Sequence, residues 1–331
     1  MRPTDFSYYL SKFLTDYLVG QRNLSTNTIK SYRDTFILLF NFLKDIHDLP
    51  TEKISIQKVN KPLVEEFLNW LESIRNNSIS TRNQRLAALH AFFRYLQGEK
   101  PEYLFHCQKI LSIPFKRGEK ATIKYLSDQS MKKILSSPDT NTPSGRRDLT
   151  LLSTLYDTGA RVQELADLKV RDVRLETPAI INITGKGRKN RHVPILNKTK
   201  NLLKQYLKEQ KLMTNDKLDH PLFFNKQRKK LTRQGITYIL KKYASGVSLN
   251  NITPHVLRHT KAMHLLQAGI NLVYIRDFLG HSELATTEIY ARADTEMKRA
   301  ALEKIENNVI PKDVPNWQEN QKLMDWLNKL C

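Results

Sequence analysis

A chain of 331 residues is long for one ordinary small domain and suits two units, each large enough to bury its own core. Its 54 lysines and arginines against 33 aspartates and glutamates leave a net charge of +21, which calls for a polyanionic partner. No apolar run of membrane-spanning length, secretory leader or lipidation motif can be read, and Cys107 and Cys331 cannot build a disulfide framework or a four-thiolate metal site, so the expected setting is a reducing cytoplasm, associated with the nucleoid.

From the N-terminus, Phe6, Tyr9, Leu10, Phe13, Leu14, Tyr17 and Leu18 recur at the three-and-four spacing of one buried helical stripe, which Gly20 closes. A second helix is expected from Ser25 or Thr26, turning Ile29, Tyr32, Phe36, Leu39, Phe40 and Leu43 inward. Pro62, a favoured first-turn residue, opens a third that buries Val64, Phe67, Leu68 and Leu71. The fourth, from about Ser80, buries Leu86, Leu89, Phe93 and Leu96 and leaves Arg82, Arg85 and Arg94 outside the stripe. These predict a four-helix domain over residues 1–100. The periodicity lapses from Gly98 to Lys124, through Pro101, Pro114 and the basic cluster Lys116, Arg117 and Lys120, so residues 101–124 read as a linker.

The pattern resumes where Ser127 can cap a helix carrying Met131, Ile134 and Leu135. Another apolar helix, Arg147 to Thr158, ends at Gly159. Two β-rich runs, 179–184 and 191–195, flank Gly185-Lys186-Gly187-Arg188-Lys189, a hairpin with a basic tip. Beyond Leu196 the chain is helical again. The expected fold is mainly α with a small antiparallel β-sheet, in two domains, the second spanning 125–310 and followed by a tail over 311–331. In that tail Asn316 can cap a last helix bearing Trp317, Leu323, Met324, Trp326 and Leu327, an apolar side that needs a burial site. The run Lys226-Gln227-Arg228-Lys229-Lys230 with Arg233 would by itself be a solvated loop; in so basic a chain it reads as a set of phosphate contacts.

The chemistry concentrates between Thr253 and Ala293. His255 and Arg258, three apart at the start of a helix, share a face and can converge on one phosphate. A helix from Asn271 to Leu279, with Leu272, Ile275, Phe278 and Leu279 inward, ends at Gly280; His281 follows at the turn and Tyr290 nine residues later. His255 and His259, four apart, lack the glutamate of H-E-x-x-H and a third ligand, so no metal is expected, and His259 and His264 read as packing or polar helix residues. Taken singly, Tyr290 is a half-buried helix tyrosine and Arg161 a surface charge. The combination alters that reading.

In chain order, T-G-A-R-V-Q-E-L from Thr158 to Leu165, I-T-G-K-G from Ile183 to Gly187, H-x-x-R, L-G-H and the tyrosine nine residues on resemble the catalytic domain of the tyrosine recombinase, or phage integrase, family. S-x-x-T-I-x-x-Y from Ser25 to Tyr32 likewise resembles its SAM-like core-binding domain, so the likeness covers nearly the whole chain. The resemblance implies a two-domain clamp on double-stranded DNA. It gives Tyr290 the role of nucleophile, Arg161 and Arg258 the grip on the non-bridging oxygens, and His255 that of base or proton relay. Lys186 would protonate the departing 5′ oxygen, with Arg188 and Lys189 as alternative donors, and His281 would bond the phosphate. No cofactor is implied, neither metal nor ATP. Elementary chemistry agrees: a phosphodiester resists attack until its charge is neutralised, guanidinium forks do that permanently, and a phenol of pKa about 10 is only about one part in a thousand ionised at neutral pH.

In so basic a chain, DNA contacts are expected from Arg82, Arg85, Arg94, Arg188, Lys189, Arg228, Lys229, Lys230 and Arg233. The tail side could dock onto this chain's own domain; the family resemblance implies instead that Trp317, Leu323, Trp326 and Leu327 pack into a neighbouring protomer of a homotetramer on paired sites, the free protein being a monomer or weak dimer. The chain opens at the core-binding domain, as in Xer-type resolvases, integron integrases and simple transposon integrases. Integration or excision of a mobile element is the expected role. Xer-type dimer resolution, nicking and resealing as in type IB topoisomerases, and DNA binding without catalysis are the alternatives.

Overall fold

The computed structural model describes residues 3–118, 123–185, 189–281, 287, 290 and 321–329. The chain divides into two compact units, Met1–Ala121 and Thr122–Cys331. Among the described residues no helix is long and apolar enough to cross a membrane.

The first unit holds α1 (Asp5–Lys12), which runs on into a π-helical turn over Phe13–Gln21, then α2 (Thr26–His47), α3 (Lys61–Ser73), α4 (Ile79–Glu99) and α5 (Leu104–Leu111). Side-chain caps open four of the helices: Thr4, Ser25, Asn60 and Ser78 each accept from a backbone N–H in the first turn. The aromatic rings Phe6, Phe13, Phe36 and Phe92 meet edge-on at the centre, with centroids 5.2 to 6.5 Å apart, each burial contributing about 1.5–3 kcal/mol. Gly20 does not end the first helix, which passes through it as a π-turn.

Two expectations need correcting here. Residues 101–113 are not linker: α5 lies against α4, and its Cys107 and Ile110, with Ile113 just past its end, join the same core. Prolines at 101 and 114 bracket this helix instead of dissolving it, and α4, covered on two sides, is buried nearly all round. That second cover also explains Arg82, which is 5% exposed and donates to the Pro114 carbonyl at 3.2 Å. Arg85 is partly buried and donates to the Ser31 carbonyl and Thr35 Oγ1 of α2. Of the three arginines expected outside the stripe, Arg94 alone is exposed.

In the second unit α6 (Asp128–Ser136) and α7 (Pro143–Thr158) lead to α8 (Val162–Asp167), and the sheet follows as β1 (Val173–Arg174), β2 (Ile180–Thr184) and β3 (Asn190–Pro194). It is an antiparallel meander in the order β1-β2-β3, with Ile181 paired to Val193 and Ile183 to Arg191; β1 is too short to show in the sequence pattern. Then come α9 (Asn197–Glu209), α10 (Arg233–Gly246), α11 (Pro254–Gln267), α12 (Leu272–Leu279) and, in the tail, α13 (Gln321–Leu327). The central helix α7 packs on α9 and α11. Its buried Asp157 accepts from the Leu196 backbone and from Lys261 Nζ, an ammonium that also lies over the Tyr156 and Phe278 rings.

Gly159 caps α7 at φ +57°, and a Cβ there would sit 2.8 Å from Leu279 Cδ2. Gly159→Ala is therefore expected to cost roughly 2–4 kcal/mol, the sum of a left-handed backbone and an overpacked contact. Chemical denaturation measures it; an unchanged midpoint would contradict this account of the turn.

Candidate active site

The turn at Gly159 swings the chain so that Arg161 falls just before α8, with a side chain 41% exposed. Glu164, one turn on, is buried and answers it twice: the Arg161 backbone N–H donates to Oε2 at 2.9 Å and Nη1 to Oε1 at 2.8 Å. Burial alone would raise the Glu164 carboxyl, but hydrogen bonds from Arg191 and Arg161 outweigh it and hold the group below the usual glutamate value.

Arg258 is 2% exposed, and its fork bridges two carbonyls, Nη1 to Gly159 at 2.6 Å and Nη2 to Leu279 at 2.7 Å. Burial, with Arg161 nearby, pulls it down to about 10, still charged at neutral pH. It thus ties the end of α7 to the end of α12, where Gly280 takes φ +67° and releases the chain into His281. His281 Nδ1 lies 2.9 Å from the buried Thr287 hydroxyl.

Tyr290 is 1% exposed and packs with Ala262, Met263, Leu266, Ile275 and Leu279. Its ring stacks at 6.4 Å on His281, and its hydroxyl lies 2.9 Å from Nδ1 of His259. Burial raises the phenol above its ordinary value, opposed by Arg258 and Arg161. His255, which is exposed, meets His259 edge-on at 4.2 Å and is lowered by partial burial of its ring, then by Arg258 and Arg161. Burial pushes both His259 and His281 down to about 4, helped by neighbouring positive groups. A neutral His259 with its proton on Nε2 accepts from the phenol.

These two histidines carry a pH prediction. Between about pH 6.5 and 4 the unfolded chain takes up protons that the folded one refuses, so their contribution is full above that window and drains away as pH falls through it. The melting temperature is expected to fall from pH 7 to 5, with a shallower slope in His259→Gln. Parallel slopes in the two proteins would count against it.

A cavity of about 610 Å³ opens beside this cluster, lined by Arg161, Arg191, Arg276, Gly280 and His281 and by hairpin residues including Gly185 and Lys189. The structure thus brings Arg161, Arg258, His255, His281 and Tyr290 together. Lys186 and Arg188 at the hairpin tip lie outside the described residues, as do Trp317 and the side chain of Leu323; Lys189 is exposed at the hairpin base. Arg228, Lys229, Lys230 and Arg233 are exposed in and after a loop closed by the Phe224–Lys230 bridge, where Lys230 pairs with Asp167 and Arg228 covers the Phe224 ring. In α13, Trp326 is 59% and Leu327 43% exposed.

Sequence reasoning missed three participants. His259 reads in the sequence only as a packing or polar helix residue, yet it stands one residue after Arg258 with Nδ1 at 2.9 Å from the Tyr290 hydroxyl. Arg191 shares a strand face with the buried Val193, and a charge in an inward register is a readable signal. Glu164 was visible only as a letter in the T-G-A-R-V-Q-E-L segment.

Residues 124–297 match the model of the Phage integrase family and residues 11–100 that of the Phage integrase N-terminal SAM-like domain. The chain is 38% identical over 303 residues to a putative integrase/recombinase, y4rC, of Sinorhizobium fredii, covering 89% of this chain and 90% of that protein. It is 31% identical over 296 residues to the tyrosine recombinase XerC of Thermodesulfovibrio yellowstonii, covering 88% and 93%. Its fold resembles that of the XerH site-specific recombinase bound to a palindromic difH substrate after cleavage, with a TM-score of 0.70, 23% identity, and coverage of 86% of this chain and 82% of that one.

Proposed function

Because the chain belongs to the phage integrase family, the tyrosine site-specific recombinases, which are DNA strand-transfer enzymes, we propose that Tyr290 is its nucleophile and that Arg161, Arg258, His255 and His281 serve it. The observation that carries this reading is the convergence of Tyr290 with two arginines and three histidines from the turn before α8, from α11 and from the turn after α12.

In the forward step the Tyr290 oxygen bonds to the scissile phosphorus, its proton passing to a neutral imidazole. His259 holds the phenol in the free protein, and His255 stands beside it as the onward relay. Arg161 and Arg258 balance the charge gathering on the non-bridging oxygens. The bond from phosphorus to the 5′ oxygen breaks, and that oxygen leaves as a hydroxyl with a proton from Lys186. A 5′ hydroxyl from another strand then attacks the phosphotyrosine in reverse, so the bond energy is conserved. Arg94, Lys189 and the exposed cations of 228–233 would meet DNA phosphates, which position the duplex without reading it. Trp326 and Leu327 would pack on a neighbouring protomer of a tetramer assembled on paired sites.

Incubation with a duplex nicked just 3′ of the cleavage point checks the chemistry. The short strand diffuses away and the covalent complex is expected to accumulate, with or without chelator. No adduct would sink the proposal. For the biological role we favour integration or excision of a mobile element over dimer resolution, on the 38% identity to a protein named as an integrase/recombinase. Excision of the flanking element in a host supplied with this protein tests it; resolution of chromosome dimers in its place would overturn it.

A further inference from the structure

Arg191 stands outside the set assembled above, yet three of that set's segments meet on it. It rises from β3 with its side chain 11% exposed. Nη1 and Nη2 donate to Glu164 at 3.2 and 2.6 Å, and Nε donates to the Phe278 carbonyl at 3.1 Å, in the last turn before His281. A Cβ on Gly280 would lie 3.0 Å from Arg191 Nη1, and one on Gly185, at the hairpin base, 3.3 Å from Glu164 Oε1. The backbone at both glycines thus comes close to this pair.

The charges explain what the pair accomplishes. Glu164 is buried and faces two arginines: Arg191, itself nearly buried, and Arg161, which opens into the cavity. A buried carboxylate demands compensation. With Arg191 supplying it, the Arg161 charge remains for a phosphate; without Arg191, Arg161 becomes the counter-ion of Glu164. We propose that Arg191 is a positioning residue for strand cleavage, which neutralises Glu164 so that Arg161 can act on the scissile phosphate and anchors the turn carrying His281. The proposal rests on the reading of Arg161 as a phosphate grip.

The test is single-turnover cleavage of the nicked duplex with either an ordinary phosphate or a methylphosphonate at the scissile position. The methyl group removes the negative charge, and with it much of the need for a cationic grip. Arg191→Ala is expected to slow cleavage of the phosphate about 100-fold, the scale of a misplaced catalytic group, and that of the methylphosphonate by less than about 5-fold, since little charge is left to stabilise. Arg191→Lys, which keeps a charge near Glu164 but cannot also reach the Phe278 carbonyl, should show the same split with a smaller defect. Equal slowing on both substrates, no slowing, or melting of both variants below the assay temperature would overturn the proposal and leave Arg191 a strut. Arg161→Ala is the control. If it shows no split while the unaltered protein cleaves both substrates, the grip reading fails, and the proposal falls with it for that separate reason.

Discussion

A Tyr290→Phe protein is expected to bind its DNA site with unchanged affinity and to form no covalent adduct, a loss of at least about 10⁴-fold in cleavage, the scale set by deleting a covalent nucleophile. The substitution removes one oxygen and nothing else. The ring keeps its place among Met263, Leu266, Ile275 and Leu279, and the lost hydrogen bond to His259 is worth only about 1 kcal/mol. A melting curve within a few degrees of the parent, beside an empty adduct lane, is the predicted pair of results. An adduct that survives the change would transfer the nucleophile to another residue, and lost DNA binding would make Tyr290 a structural tyrosine.

Arg258→Lys is expected to be the most damaging conservative change in the protein. An ammonium is a point charge and cannot span the carbonyls of Gly159 and Leu279 as the planar fork does. One carbonyl is left buried and unpaired, at about 1–3 kcal/mol, and a strongly hydrated cation sits where the side chain is 2% exposed. The expected cost is roughly 2–4 kcal/mol, or about 5–15 °C in a unit of this size. Because Arg258 also fixes the relation between the Gly159 turn and the turn of His281, cleavage should fall by about 100-fold or more at temperatures where the variant is folded. Differential scanning calorimetry and the adduct assay separate the two effects. A variant that melts with the parent would show that the carbonyl bridge is dispensable.

The helical stripes of Val64, Phe67, Leu68 and Leu71, or of Leu86, Leu89, Phe93 and Leu96, were legible because burial on one helix face is a local pattern. Arg161, His255, Arg258 and His281 could be picked out as candidates for a different reason, because they stand in short segments of distinctive spacing. What stayed hidden is tertiary. Arg191 meets Glu164 across 27 residues and Phe278 across 87, and no local period encodes such a meeting. Arg82 was misplaced for a related reason: the stripe on α4 is correct, but α5 returns to cover its other side, and the prolines at 101 and 114 read as breaks while they are ends.

The seat of Tyr290 has a kinetic consequence. A phenol both hydrogen-bonded to His259 and almost wholly enclosed can reach a phosphate only from a rarer conformation, and each 1.4 kcal/mol of holding energy makes that conformation tenfold scarcer. With Tyr290 as the proposed nucleophile, such a seat would gate the resting molecule: the oxygen would be withheld for most of its lifetime, and the rate of strand breakage would be the intrinsic rate multiplied by a small population. Any contact that raised that population would then set the pace of the reaction without touching the phosphate.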